Sequence, residues 1–251
     1  MARYMLSEAT HKDLAAYKPN VAVLPWGATE GHGQHLPYGT DTIQSVAIGH
    51  KAAELADARG ARLIVLPPIP FGNDAMQVDQ AATIHISTAT AMAMLRDTAD
   101  SLRRQGITRL VILNGHGGNE FRPLIRDLEL ELRVLLVQVD WWRMCPELFA
   151  RLLEDRSGDH ADEMETSVML HVAPHLVKMA DAGTGQHVPF AVAALTAPGV
   201  WTPRHWSKSH PDLGSGNPAK ATAEKGRQIF EAVTAKLADL LVELSKAAEV
   251  P

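Results

Sequence analysis

Cysteine and aromatic residues are scarce in this chain of 251 residues, and no long hydrophobic run occurs in it. Cys145 stands alone, so no disulfide can form within the chain, which is typical of proteins from reducing compartments. No apolar stretch approaches the roughly 18 residues of a transmembrane helix. The first residues, MARYMLSEATHKDL, contain no apolar signal core. We therefore expect a cytoplasmic protein that does not act on membranes.

An excess of positive charge is also absent. The chain has 24 Lys and Arg against 29 Asp and Glu, for a net charge of -5, which argues against a nucleic-acid partner. Hydrophobic residues make up 46% and charged residues 21%, as in ordinary globular proteins, which excludes disordered and collagen-like chains. No linker or internal repeat is visible. We predict a single domain over residues 1–251, with a small molecule rather than a nucleic acid as its partner.

Short apolar runs alternate with longer segments of helical periodicity. The runs cover residues 21–25, 62–67, 109–113 and 133–139, and the helical segments cover residues 42–59, 87–105, 120–132, 162–172 and 219–248. The runs are rich in Val, Ile and Leu without polar alternation, which is typical of strands buried on both faces. The pattern predicts an α/β domain with a mainly parallel sheet. Residues 183–218 lack periodicity, and we expect loops and short strands there, beside the site or at a subunit interface.

The loop after the first strand carries two carboxylates and an imidazole. Glu30 and His32 are two residues apart, which places both side chains on one face of an extended segment. Asp41 begins the next helix, where the helix dipole favours a carboxylate. Together they form a plausible ligand set for Zn, Mn or Fe. Taken singly, each is better explained as a surface-loop residue, and only the combination favours a metal site.

Two further segments carry polar side chains beside helices. NGHGGN follows the third strand and places His116 in a glycine-rich turn that lacks the signature of a nucleotide-binding loop. HADEMETS brings His160 and Glu165 to the start of an apolar helix, where a general base and a ligand can act together. Helix capping would suffice for Asp162 and Glu163.

These three segments together resemble the creatininase (creatinine amidohydrolase) family. The family pattern is approximately P-x-G-x-x-E-x-H-G-x-H-L-P-x-x-T-D, then N-G-H-x-x-N, then H-A/G-x-x-x-E-T-S. Here these motifs are PWGATEGHGQHLPYGTD, NGHGGN and HADEMETS, in the same order and spacing. The resemblance implies a three-layer α/β/α domain, a centre of two divalent metal ions (Zn, Mn or Fe) per chain and a homo-oligomer, often a hexamer.

The resemblance also implies a role for each motif residue. One ion would be held by Glu30 and His116 and the other by His32, with Asp41 between the two ions. The relatives' last ligand is a Glu at a position that is Gly118 here, and Glu165 is our candidate to replace it. His160 matches the catalytic histidine that transfers protons.

The implied reaction is attack of metal-activated water on a carbonyl carbon. A small cyclic amide is the first expectation. The alternatives are C–C bond hydrolysis of a cyclic keto-sugar (an inosose) and deformylation of a formamido compound. The loop after the second strand contains five polar side chains suited to a polyhydroxylated substrate; they are Asn73, Asp74, Gln77, Asp79 and Gln80. We assign substrate binding to Asn73, Gln77 and Gly117, although a merely solvated loop explains the pattern equally well.

Two rival classes stay open at this point. A binding module with a structural metal is disfavoured, because such sites are usually rich in cysteine. An isomerase or lyase with the same ligands would differ from a hydrolase in leaving no solvent oxygen in its product.

Overall fold

A computed structural model describes residues 3–248 and shows four parallel strands in the order β2-β1-β3-β4. The strands are β1 (Val21–Trp26), β2 (Leu63–Val65), β3 (Arg109–Asn114) and β4 (Leu135–Asp140). The α-helices of the described residues are α1 (His11–Tyr17), α2 (Thr40–Asp57), α3 (Thr88–Arg104), α4 (Phe121–Glu131), α5 (Pro146–Leu152), α6 (Glu163–Val172), α7 (Trp206–Ser209) and α8 (Ala223–Lys246).

Both faces of the sheet are covered by helices. Successive strand residues point to opposite faces. Accordingly, Val21 and Val23 of β1 pack in one apolar cluster with α2 and α8, whereas Ala22 and Leu24 pack in another with α3 and α4. This double burial explains why the strands are continuous apolar runs rather than alternating ones. The predicted α/β fold with helix, sheet and helix layers is confirmed.

The strands of the centre of the sheet end at one level. Trp26 of β1 pairs with Asn114 of β3, which pairs with Asp140 of β4. The loops that follow β1, β2 and β3 therefore start at a common carboxyl edge, the edge at which open α/β sheets bind ligands.

The sequence missed three short helices, α1, α5 and α7, because each is too short to show a clear period. The short strands expected in residues 183–218 do not occur there, although the structure describes that whole region; it consists of loops, a 3₁₀ turn and α7. Among residues 3–248, every helix falls short of the length or the hydropathy that a bilayer-spanning helix needs.

Candidate metal centre

The loop after β1 and the loop after β3 meet at the N-terminus of α2. Glu30, His32 and Asp41 are at most 2% exposed there, and Asp41 lies in the first turn of α2. Gly115 makes this approach possible, because a Cβ at that position would lie 2.5 Å from the carbonyl oxygen of Asp41. The close contact brings His116 into the same buried cluster, as the sequence predicts.

The two carboxylate oxygens of Asp41 face two different histidines. His32 Nε2 lies 2.8 Å from Asp41 Oδ1, and His116 Nδ1 lies 3.1 Å from Asp41 Oδ2. His116 Nδ1 is also 2.8 Å from Glu30 Oε1. Ligand atoms that bind one ion at about 2.1 Å are themselves roughly 3 Å apart. The spacing therefore suits one ion near Glu30 and His116 and another near His32, with Asp41 between them.

Glu165 is the third side chain beside the second ion position, with His32 and Asp41. It comes from the first turn of α6 and offers an oxygen within 4.8 Å of ligand atoms on His32 and Asp41. Its Oε2 accepts a hydrogen bond from the Ala161 backbone N–H, which fixes the carboxylate against its own helix start. The structure thus brings together all five side chains predicted as metal ligands.

Backbone carbonyls fix which nitrogen of each histidine faces the centre. Three ring nitrogens lie within hydrogen-bond distance of a carbonyl oxygen, which can only accept, so each of these nitrogens carries the hydrogen. The pairs are His32 Nδ1 with Glu30 O at 3.2 Å, His116 Nε2 with Asn73 O at 3.2 Å and His160 Nε2 with Gly31 O at 2.8 Å. The opposite nitrogen of each ring faces the carboxylates. Such tethering is typical of metal-binding histidines.

Unpartnered carboxylate oxygens support a cation at this place. Glu30 Oε1 and Asp41 Oδ2 are buried, and His116 Nδ1, the ring nitrogen close to both, forms no well-aligned hydrogen bond with either oxygen. A buried ionised carboxylate is costly unless a donor or a cation balances it. Imidazole nitrogen and carboxylate oxygen are ligands that suit Zn, Mn and Fe. The residues present therefore fit a divalent metal ion.

Burial and the crowding of charged groups raise the pKa values of two of these side chains. Burial raises the pKa of Glu165 to about 8. Burial opposes the charge on His32, but the carboxylates of Asp41, Glu165 and Glu30 outweigh it and raise the pKa of His32 to about 10. In the metal-free protein both groups hold protons at neutral pH. Metal binding must displace them, because only the deprotonated forms are ligands.

His160 lies at the rim of the same cluster, and its ring is in contact with two other aromatic rings. Its centroid is 4.2 Å from that of His32 and 4.7 Å from that of Trp206, and His210 stacks on Trp206 at 3.9 Å. Its Nδ1 is 3.8 Å from Glu30 Oε1. Burial and the charge of His32 lower the pKa of His160, so the ring is neutral at neutral pH and can accept a proton.

A family model described as creatinine amidohydrolase matches residues 7–241. The chain belongs to the creatininase family. Mycofactocin precursor peptide peptidase of Mycobacterium ulcerans is 32% identical, over 90% of this chain and 85% of that protein. Creatinine amidohydrolase of Pseudomonas putida is 27% identical over 89% of each chain. The crystal structure of a Bacteroides fragilis protein, provisionally named a creatinine amidohydrolase, covers 100% of both chains at 42% identity with a TM-score of 0.93.

Membership in the creatininase family makes this protein a hydrolytic enzyme. A solved creatininase of 24% sequence identity shares the fold with a TM-score of 0.79. Other solved creatininases are described as Zn–Zn and Mn forms. The family and the ligand cluster together make the protein dependent on a divalent metal ion.

The residues predicted to bind substrate lie in three different environments. Gln77 is 2% exposed and donates a hydrogen bond from its amide to Glu30 Oε2, so it holds a candidate metal ligand. The Asn73 side chain donates to Thr88 Oγ1 at 3.3 Å. Gly117 is exposed, with open space where a Cβ would stand. The open space at Gly117 leaves room for a substrate, whereas the buried Gln77 side chain does not.

Several polar residues of the three motifs have structural contacts instead. His35 Nε2 lies 2.8 Å from Thr166 Oγ1 of α6, outside the metal cluster. Asp162 is the N-cap of α6, accepting from two backbone N–H groups, and Glu163 binds Lys225 of α8. The capping interpretation is confirmed for Asp162.

The sequence did not reveal two neighbours of the centre. Trp206 reaches His160 from a segment without periodicity, and Asp74 lies 3.2 Å from His116 Nε2. The polarity of the loop after β2 was the only available signal for Asp74, and it could not show which polar group points inward.

Proposed function

We propose that this protein is an amidohydrolase that holds two divalent ions and opens a small cyclic amide. The observation that carries the proposal is the position of Asp41, with one oxygen toward the Glu30–His116 pair and the other toward His32. One ion would be held by Glu30, His116 and Asp41, and the other by His32, Asp41 and Glu165. When bound, the ions supply Lewis-acid activation of the carbonyl group and of water.

The chain's own groups then have defined tasks. His160 Nε2 donates to the Gly31 carbonyl, so Nδ1 is the nitrogen that takes a proton from water and passes it to the leaving nitrogen. Contacts with the rings of Trp206 and His32 hold the His160 ring in place, which keeps Nδ1 directed at Glu30. Gln77 fixes the Glu30 carboxylate through its amide. Stable positioning of these groups lowers the entropy that the reaction must lose.

An amide is favoured over a keto-sugar by the contacts of the loop after β2. Three of its polar side chains contact the protein itself, with Asn73 on Thr88, Asp74 at His116 and Gln77 on Glu30. They therefore do not form an open surface for sugar hydroxyls. A peptide bond is the second candidate, because several mycobacterial relatives at 30–32% identity are named as peptide peptidases.

Isotope incorporation tests the reaction class. Metal-loaded protein is incubated in ¹⁸O-water with creatinine, other cyclic amides and short peptides, and the products are examined by mass spectrometry. We expect solvent oxygen in the new carboxylate and no turnover after chelation. Turnover without solvent oxygen would indicate an isomerase or lyase, and turnover unaffected by chelation would refute the metal-dependent mechanism.

We further propose that the protein acts as a homo-oligomer. Exposed apolar side chains lie in the segment beside Trp206, with Trp201 81% exposed and Val192 59% exposed. Large exposed apolar side chains within one segment supply the kind of surface that a subunit contact would cover. Light scattering at micromolar concentration should show an assembly, and a monomer would refute this proposal.

A further inference from the structure

Asp74 is a buried carboxylate that lies outside the three family motifs. It is 1% exposed, and neither of its oxygens has a hydrogen-bond partner among the described residues. Its Oδ1 lies 3.2 Å from His116 Nε2. Glu30, Asp74 and His116 offer ligand atoms that all lie within 4.8 Å of one another. Asp74 therefore lies within reach of an ion bound by Glu30 and His116, although its nearest His116 nitrogen is Nε2 and not the Nδ1 that faces the other ligands.

The backbone around Asp74 is fixed by hydrogen bonds to neighbouring segments. The Asn73 N–H donates to Asn119 Oδ1 at 3.1 Å, and the Asp74 N–H donates to His85 Nδ1 at 3.1 Å. The Ile86 N–H donates to the Gly72 carbonyl at 2.8 Å. These bonds give the loop a defined position against the NGHGGN turn, so the direction of the carboxylate is set by the fold.

The same loop occupies the space that a side chain at position 118 would need. A Cβ on Gly118 would lie less than 3.0 Å from both the Asn73 carbonyl oxygen and His116 Nε2. Real Cβ atoms do not approach other atoms so closely. A carboxylate at position 118 is thus incompatible with this loop, and a carboxylate on the loop itself is present at the same side of His116.

Orientation of His116 does not explain the burial of Asp74. The His116 Nε2–H already has the Asn73 carbonyl oxygen as its acceptor at 3.2 Å. Both Asp74 oxygens therefore remain without a donor, which is costly for an ionised carboxylate unless a cation lies nearby. The ion proposed above to bind Glu30 and His116 would be the cation nearest to Asp74.

We propose that Asp74 is a ligand of the ion held by Glu30 and His116. In this arrangement Asp74, and not Glu165, supplies the carboxylate that position 118 lacks, while Glu165 serves the other ion with His32 and Asp41. The proposal rests on the metal centre proposed above and extends it to a residue of a different loop. A charge-neutral replacement should weaken the binding of one ion, whereas a longer carboxylate should retain part of the binding.

Cobalt titration of matched variants tests this assignment. Wild type, Asp74→Asn, Asp74→Glu and Asp79→Asn are stripped of metal and titrated with Co²⁺, followed by visible absorption and metal analysis. Asp79 is an exposed residue of the same loop and controls for the loss of charge. We expect Asp74→Asn to lower the affinity for one of the two Co²⁺ ions at least about tenfold and to alter the absorption bands. Asp74→Glu should restore part of the affinity, and Asp79→Asn should bind Co²⁺ as the wild type does.

Three outcomes would overturn the assignment. Asp74→Asn could bind Co²⁺ with wild-type affinity and spectrum, or Asp79→Asn could lose as much affinity as Asp74→Asn. Asp74→Asn could also melt at a much lower temperature than wild type without metal, which would indicate a structural role. A wild-type protein that binds no Co²⁺ is a different result, because it would refute the proposed metal centre itself.

Discussion

Removal of the metal should destabilise this protein, and the loss should grow as the pH rises from about 7 to 9. Without metal, the pKa of Glu165 is about 8 and that of His32 is about 10. Both values exceed those of the unfolded chain, about 4.3 for Glu and 6.5 for His. Between pH 7 and 9 the folded protein therefore binds more protons than the unfolded one, and its stability falls as these protons are lost.

Bound metal reverses this trend, because it competes with protons for the same atoms and binds more tightly as the pH rises. The lowered pKa values of Glu30 and Asp41 do not alter the sign, since both groups stay ionised throughout this window. One ion present at about 1,000 times its dissociation constant adds about 4 kcal/mol. At roughly 2–4 °C per kcal/mol for a chain of this size, the melting temperature should differ by about 8–16 °C.

Calorimetry at pH 7 and pH 9, with Zn²⁺ or with a chelator, measures both effects. The difference in melting temperature between the metal-loaded and the metal-free protein should be larger at pH 9 than at pH 7. Asp41→Asn serves as the control, because it removes the carboxylate that lies between the two proposed ion sites. This variant should melt at the same temperature with and without Zn²⁺. The reasoning would be refuted if metal-loaded and metal-free wild type melted at the same temperature, or if their melting temperatures were closer at pH 9 than at pH 7.

Three further substitutions and one control probe the centre. His160→Gln should lower kcat by about 10²–10⁴-fold while metal content stays at the wild-type level, and a parallel loss of metal would make His160 a ligand instead. Trp206→Ala should lower kcat by up to about 10²-fold with little change in KM, because the His160 ring loses one of its two supports. Gly115→Ala should destabilise the protein by about 1–3 kcal/mol, because its Cβ would meet Asp41, whereas Gly117→Ala has open space and should unfold at the wild-type denaturant concentration.

The sequence predicts the sheet because its strands are buried on both faces. Val21–Trp26 and Arg109–Asn114 are fully buried elements, and such strands leave a continuous apolar signal. The strand β2 is shorter than the predicted run 62–67, because Pro67 and Pro68 come one residue after its end and cannot donate to a ladder.

The positions of the motif residues also follow from the topology. Parallel strands place their following loops at one edge, so Glu30, His32 and His116 meet there once β1 and β3 are neighbours. The inward direction of Asp74 depends on hydrogen bonds to His85 and Asn119 from other parts of the chain. Such long-range contacts leave no periodic pattern, so the loop could be recognised as polar without showing which of its groups is buried.

Metal content per chain tests the central claim most directly. Wild type and Glu165→Ala are purified without added metal, reconstituted with Zn²⁺ or Mn²⁺, and measured by elemental analysis. A two-metal centre predicts about two ions per wild-type chain and about one in the variant, because Glu30, His116 and Asp41 remain intact. No metal in reconstituted wild type would contradict the account, and two ions in the variant would remove Glu165 from the ligand set.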